Sequence, residues 1–144
     1  MPSKLYQTVY AKAFNKEIDF DTDTIKVALL TSSYTPAQTT HDYYDDVVAN
    51  EVSGTGYTAG GQALASKTVT QDTGNKVTIF DAADVTWASS TITARYAVIY
   101  DDTPSTNATK PLLGYVDFGS DQSSSNGNFT LTWDATGIIR LTVA

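Results

Sequence analysis

Hydrophobic and polar residues alternate along most of this chain, and a spacing of two is typical of β-strands with one buried face. The longest alternating segment places Ile92, Ala94, Tyr96, Val98 and Tyr100 on one face. Shorter segments of the same kind occupy residues 25–30, 77–79, 85–87, 112–118, 129–133 and 139–143. Turn-forming residues separate these segments, and the gaps are too short for the crossover helices of a parallel sheet. The sequence therefore predicts an all-β fold, an antiparallel, jelly-roll-like β-sandwich.

The first residues follow a helical spacing instead. Two rows of apolar residues run four positions apart: Leu5, Val9 and Ala13, and beside them Tyr6, Tyr10 and Phe14. Together with Ser3 as an N-cap, this spacing predicts a short N-terminal α-helix at about residues 3–15. A second, shorter helix at residues 40–50 stays an open alternative.

Composition narrows the class of protein. The chain has 144 residues, a length that predicts a single domain over residues 1–144. It has 16 acidic against 9 basic residues and a formal net charge of −7, which argues against binding to nucleic acid or to anionic membranes. There is no cysteine, which excludes disulfides, thiolate nucleophiles and Cys-ligated metals.

The sequence carries no signal for membrane insertion or export. The N-terminus has neither the apolar region nor the cleavage site of a secretory signal, and nowhere do about eighteen apolar residues run together. We therefore expect a soluble protein that is not exported by the general secretory route.

Candidate catalytic residues are few. Hydrolysis by a Ser–His–Asp arrangement needs a histidine, and His41 is the only one, in a chain without a Gly-x-Ser-x-Gly motif. A glycosidase needs two carboxyl groups in different environments, but Glu17 and Glu51 are the only glutamates. Asp117 and Asp134 are predicted to point outward at strand ends. We therefore expect a protein that is not an enzyme and assign no catalytic residue.

Two motifs resemble ligand sites without completing them. Asp19, Asp21 and Asp23 have the alternate spacing that opens a calcium loop, but Thr24 and Leu30 occupy the positions that need Gly and Glu. The simpler prediction is a solvated turn in which the Asp side chains bind nearby main-chain groups. A second acidic set could contribute to a cation site between chains, and this alternative stays open: Asp42, Asp45 and Asp46.

The glycine-rich segment does not match a phosphate-binding loop. Gly54, Gly56, Gly60 and Gly61 follow neither the dinucleotide-binding nor the P-loop spacing, and no strong helical pattern begins after them. They predict a tight path with positive φ that leads into a strand at residues 62–70. We accordingly expect neither a cofactor nor a bound metal.

The aromatic residues divide into two groups. Trp87 and Trp133 lie on alternating apolar faces and are predicted core residues. Four tyrosines in loop-like segments are predicted to be exposed, on a surface that could recognise protein or glycan: Tyr34, Tyr43, Tyr44 and Tyr57. The low-complexity stretch at residues 120–128 is predicted to be a solvated hairpin loop.

Several segments together resemble a group of small virion proteins of tailed bacteriophages, described as head decoration (cement) or tail-fibre-like proteins. The resemblance covers nearly the whole chain in order and is carried by EVSGTGYTAGGQAL at 51–64, DVTWASSTITARYAVIYDDT at 84–103, PLLGYVDFG at 111–119 and IKVALLTSSYTP at 25–36. It implies a non-enzymatic role on the capsid surface of the virion, after synthesis in the cytoplasm of a bacterial host.

The resemblance also implies the partners. These would be the major capsid protein and further copies of the chain, as a homotrimer. We expect docking through the helix at 3–15 or through the Tyr-rich segment at 39–50. A tail, fibre or baseplate component is the alternative within the same class, and a carbohydrate-binding module with exposed tyrosines is the alternative from another class.

Overall fold

The computed structural model describes residues 3–144, which form an all-β fold of two antiparallel sheets and thereby confirm the predicted sandwich. In chain order the elements are β1 (Ser3–Leu5), α1 (Val9–Phe14), β2 (Ile25–Leu30), β3 (Gln62–Ala63), β4 (Thr68–Asp72), β5 (Val77–Asp81), β6 (Val85–Asp101), β7 (Leu112–Leu131) and β8 (Ile139–Thr142). The larger sheet has the strand order β1-β7-β6-β2-β3, and the smaller one has the order β4-β5-β8. No helix in this part of the chain is long and apolar enough to cross a membrane.

β6 and β7 form one long hairpin that runs through the molecule. Each combines two segments that the sequence predicts as separate strands. The predicted loop at 120–128 is wrong, because it lies inside β7, where Ser123 and Ser124 face Thr93 and Ile92 of β6. The stretch lacks apolar alternation, so the sequence pattern does not reveal it. Main-chain pairing and cross-strand hydroxyl pairs such as Thr93–Ser123, 2.7 Å apart, hold it in the sheet instead.

The main hydrophobic core lies between the two sheets. It combines side chains from β2, β6 and β7 of the larger sheet with Ile139 of β8, and Phe80 of β5 packs against it. Trp87 and Trp133 both belong to this core, as predicted. The two faces that carry alternating apolar residues therefore meet each other, which is how a sandwich buries them.

A second core covers the opposite face of the larger sheet. The segment between β2 and β3 folds over this face with two short 3₁₀ turns, Tyr44–Asp46 and Val48–Asn50, in place of the possible helix at 40–50. This core contains six tyrosines: Tyr6, Tyr34, Tyr44, Tyr96, Tyr100 and Tyr115. The central strands are thus buried on both faces, which explains the continuous apolar run of β2.

The N-terminal helix is shorter than predicted. Ser3–Leu5 form β1, which pairs with Gly114–Val116 of β7, so Ser3 is not an N-cap and the helix begins only at Val9. An extended chain turns adjacent side chains to opposite faces. Leu5 accordingly packs against the main core, while Tyr6 enters the second core. The four-residue spacing that starts at Leu5 and Tyr6 is typical of a helix, so the sequence pattern does not predict this strand.

Candidate docking surface

The short helix α1 is fixed to the protein on one side by its buried lysine. Lys12 Nζ donates to the main-chain oxygen of Asp42 at 2.8 Å and lies 3.6 Å from the Asp42 carboxylate. The same ammonium lies 3.0 Å from the centre of the Tyr43 ring. Burial lowers the pKa of Lys12, while Asp42 and Glu17 act in the opposite direction. Val9, the other buried residue of α1, packs in the main core, and the remaining residues of the helix are exposed.

The outward side of α1 carries two exposed aromatic residues. The side chain of Phe14 is 88% exposed and that of Tyr10 is 49% exposed. Exposed large apolar side chains matter when they lie together, because a contiguous apolar patch marks an interaction site more often than scattered residues do. The other two described examples, Val69 and Val143, do not line the same groove as Tyr10 and Phe14.

Tyr10 and Phe14 form one wall of an apolar groove with a volume of about 250 Å³. Phe20 and Phe80, which meet edge to face at 5.4 Å, line the groove as well. The remaining lining residues come from α1, β1, β7, β8 and the segment after the helix, and they are all apolar: Leu5, Val9, Ala13, Ile18, Leu113, Ile139 and Leu141. A groove of this kind suits an apolar segment of a partner protein better than a charged ligand. We call it the α1 groove.

The Tyr-rich segment does not offer a comparable surface. Tyr34 and Tyr44 are buried, and Tyr43 and Tyr57 are half-buried, so the predicted exposure is wrong for the first two. Tyr44 stacks on Tyr100 with ring centres 4.0 Å apart. The hydroxyl groups of Tyr34 and Tyr6 lie 2.7 Å apart, and burial raises the pKa of Tyr34 to about 12. These rings cover the larger sheet, a role that depends on tertiary contacts.

The candidate catalytic residues are spread over separate structural contacts. His41 Nδ1 lies 3.0 Å from the Tyr34 hydroxyl, on the second core. Glu17 accepts from the Tyr43 hydroxyl at 3.1 Å. Glu51 accepts from the Tyr57 hydroxyl at 2.7 Å and from the main-chain N–H of Gly60 at 2.6 Å. The contacts of His41 and Glu51 lie within nine positions along the chain, whereas Glu17 contacts a residue 26 positions away.

The two singled-out aspartates are likewise engaged locally. Asp117 lies inside β7, where the prediction placed it at a strand end, and accepts from Arg95 Nε at 2.9 Å. This hydrogen bond lowers the pKa of Asp117. Asp134 follows β7 and accepts from the main-chain N–H of Thr136 at 2.9 Å and from its hydroxyl at 2.6 Å. Thr136 correspondingly lowers the pKa of Asp134.

The acidic motifs make turns. Asp19 accepts from the main-chain N–H groups of Asp21 and Thr22, both at 3.2 Å, and Asp23 accepts from the N–H of Asp19 at 2.7 Å. Asp46 accepts from the N–H of Asp42 at 2.9 Å. Across residues 3–144, no three His, Cys, Asp or Glu side chains come close enough together to hold a metal ion.

The glycine-rich segment makes the tight path that its composition predicts. Gly54, Gly56, Gly60 and Gly61 all have positive φ. The path leads into β3, but the predicted strand at 62–70 is divided between β3 in the larger sheet and β4 in the smaller one. The segment therefore links the two sheets and positions the Glu51 contacts, without presenting a helix terminus to a ligand.

The sequence pattern indicates only one side of the α1 groove. The spacing of Tyr10 and Phe14 already indicates an aromatic row, whereas the contributions of β5 and β8 depend on how the sheets pack. Comparisons with protein-family models, with curated protein sequences and with solved structures found no match for this chain.

Proposed function

We propose that the protein is a non-enzymatic bacteriophage virion protein, a capsid decoration (cement) protein that binds the lattice of the major capsid protein and stabilises the head. The observation that carries the proposal is the α1 groove with the exposed side chains of Tyr10 and Phe14 at its wall. The resemblance of the sequence segments to small phage virion proteins supports the same role.

The architecture suits repeated docking on a lattice. Two sheets with a core on each face of the larger one give a rigid body, and a preformed surface loses little conformational entropy when it binds. Modest contacts become strong when several copies act together, as in the proposed homotrimer on a capsid. The net charge of −7 keeps the free protein away from packaged DNA.

The alternatives differ in what the surface must recognise. A tail, fibre or baseplate component would use the same kind of apolar contact at another place in the virion. A carbohydrate-binding module would need exposed aromatic rings, and the burial of Tyr34 and Tyr44 removes two of the four tyrosines on which that alternative rested.

The Phe14→Ser variant tests the proposal. Phe14 is the most exposed of the groove aromatics, so this change removes apolar contact area with little effect on folding. Burying a Phe side chain contributes about 1.5–3 kcal/mol, and we therefore expect affinity for phage particles that lack this chain to fall at least about tenfold. Binding can be measured by co-sedimentation with such particles.

Val143→Ser is the matched control, because Val143 is 68% exposed but lies outside the groove. Docking through the α1 groove would be contradicted if both variants lost binding equally, or if neither variant lost binding. Deleting residues 1–15 is a poorer test, because it also removes β1 and the buried Tyr6.

A further inference from the structure

A fully buried carboxyl group at the end of β6 has an incomplete set of partners. Asp101 is 0% exposed. Its main-chain N–H donates to Pro111, and its Oδ1 accepts from the N–H of Thr103 at 2.8 Å. Within residues 3–144, its Oδ2 has neither a hydrogen-bond donor nor contact with solvent. A buried ionised oxygen without a donor is costly, so this group calls for a specific explanation.

The neighbouring carboxyl group that acts on Asp101 is that of Asp23. Asp101 pairs with Ile25 at the start of β2, two residues after Asp23. The N–H of Asp102 donates to Thr24 at 2.8 Å, and the N–H of Thr24 donates to the Thr103 hydroxyl at 2.9 Å. These bonds hold the turn at 19–24 against the residues that follow β6. Two ionised carboxylates placed this way have only acceptors to offer each other.

The nearby cations are committed to other groups. Lys26 and Lys110 each lie 2.6 Å from the carboxylate of Asp102, the neighbour of Asp101. Lys67 donates to the main-chain oxygen of Asp23. Burial, and after it the neighbouring carboxyl group of Asp23, raises the pKa of Asp101 to about 6.

We propose that Asp101 and Asp23 share one proton, and that the resulting carboxyl–carboxylate hydrogen bond is a pH-sensitive latch between the turn at 19–24 and the end of β6. A proton supplies the missing donor with no further ligand. A cation fits less well, because the described residues bring no third acidic or histidine side chain to the pair.

The latch gives stability a definite pH dependence. Because the folded pKa of Asp101 lies above its ordinary value of 3.8, the folded protein retains a proton that the unfolded chain releases between about pH 4 and 6. The contribution of this group to stability is therefore complete below about pH 4 and is lost as the pH rises through 6. Above pH 6, Asp101 has released its proton and the latch is open.

Asp101→Asn tests the latch, because an amide donates to Asp23 at every pH. We expect the unfolding equilibrium constant of the wild type, relative to that of the variant, to rise about 50-fold between pH 4 and pH 7.5. The variant should consequently be the more stable protein at pH 7.5. Asp45→Asn, at an exposed carboxylate, is the control and should retain the wild-type pH dependence. Denaturant unfolding at several pH values measures all three.

Two further measurements keep the proposal falsifiable. If Asp101→Asn does not fold, Asp23→Asn supplies the donor from the other side and should weaken the pH dependence, since only the burial of Asp101 then raises its pKa. Carbon-detected NMR of the wild type should show the Asp101 carboxyl titrating near pH 6, and titration near pH 4 would overturn the proposal. So would calcium chloride at pH 7.5, if it stabilised the wild type but not Asp101→Asn, because the pair would then hold a cation.

Discussion

At the residue scale, Gly61 occupies a position where the backbone conformation and the available space both exclude a side chain. Its φ is +74°, and an added Cβ would overlap the carbonyl oxygen of Val27 in β2. Positive φ alone costs a residue with a Cβ about 1–2 kcal/mol. We expect Gly61→Ala to lower the free energy of unfolding by roughly 3 kcal/mol or more, since β2 must also shift.

Gly119→Ala is the matched control for that change. Gly119 has a similar φ of +80°, but no described atom lies within 4 Å of its Cβ position. Gly119→Ala should therefore lower the free energy of unfolding only by the conformational strain of about 1–2 kcal/mol, as measured by denaturant titration. Equal losses in the two variants would mean that strain, and not contact with Val27, decides the requirement for glycine at position 61.

Residue properties that depend on local sequence were predictable, and those that depend on distant partners were not. The positive φ of the glycines and the burial of Trp87 follow from composition and alternation. The burial of Lys12 and Asp101 does not, because their partners Asp42 and Asp23 lie about 30 and 80 positions away and only tertiary structure brings them close. Charged residues look exposed in a sequence until a partner is identified.

At the element scale, residues 120–128 have the composition of a loop but form part of strand β7. A four-residue Gly-Ser insertion after Ser124 should lower the free energy of unfolding by about 2 kcal/mol, because it disrupts the Ser90–Ser124 and Ser90–Gly127 hydrogen bonds and the pairing around them. The same insertion after Ser105, in the exposed connection between β6 and β7, lengthens a loop and should cost less than about 0.6 kcal/mol.

Denaturant unfolding distinguishes these two insertions. If both were tolerated equally, the polar stretch would behave as the loop that its composition suggests.

The sequence could predict strands wherever one face is apolar, as in β2 and the end of β6. It could not predict strands whose side chains are polar on both faces, because their stability comes from main-chain pairing with a neighbour.

At the scale of the whole molecule, the proposed role predicts how many copies a particle holds. A decoration protein occupies repeated lattice sites, so its ratio to the major capsid protein in purified particles should be near stoichiometric. Quantitative mass spectrometry of purified virions measures this ratio. A few to a few dozen copies would favour a tail, fibre or baseplate component, and absence from the particles would contradict a virion role altogether.

The all-β class and the main core could be predicted at this scale, whereas the layered arrangement could not. Alternation identifies one buried face per strand, which leads to a simple sandwich. The second core, built on Tyr6, Tyr34 and Tyr44, needs a long irregular segment to lie on the outer face of the larger sheet. The same tyrosines look like surface residues as long as that segment is considered a loop.

The β6–β7 hairpin also has a consequence for the order in which the chain folds. Its strands are joined by the short connection at 102–111, so they can meet after closing one small loop, whereas β1 and β2 must reach the same hairpin from much farther along the chain. Loop closure costs more entropy as the loop lengthens, and long-range pairing slows folding. We therefore expect the hairpin to form first when the chain folds. On it the edge strands, the smaller sheet and finally the tyrosine layer would assemble, with the α1 groove among the last features to form.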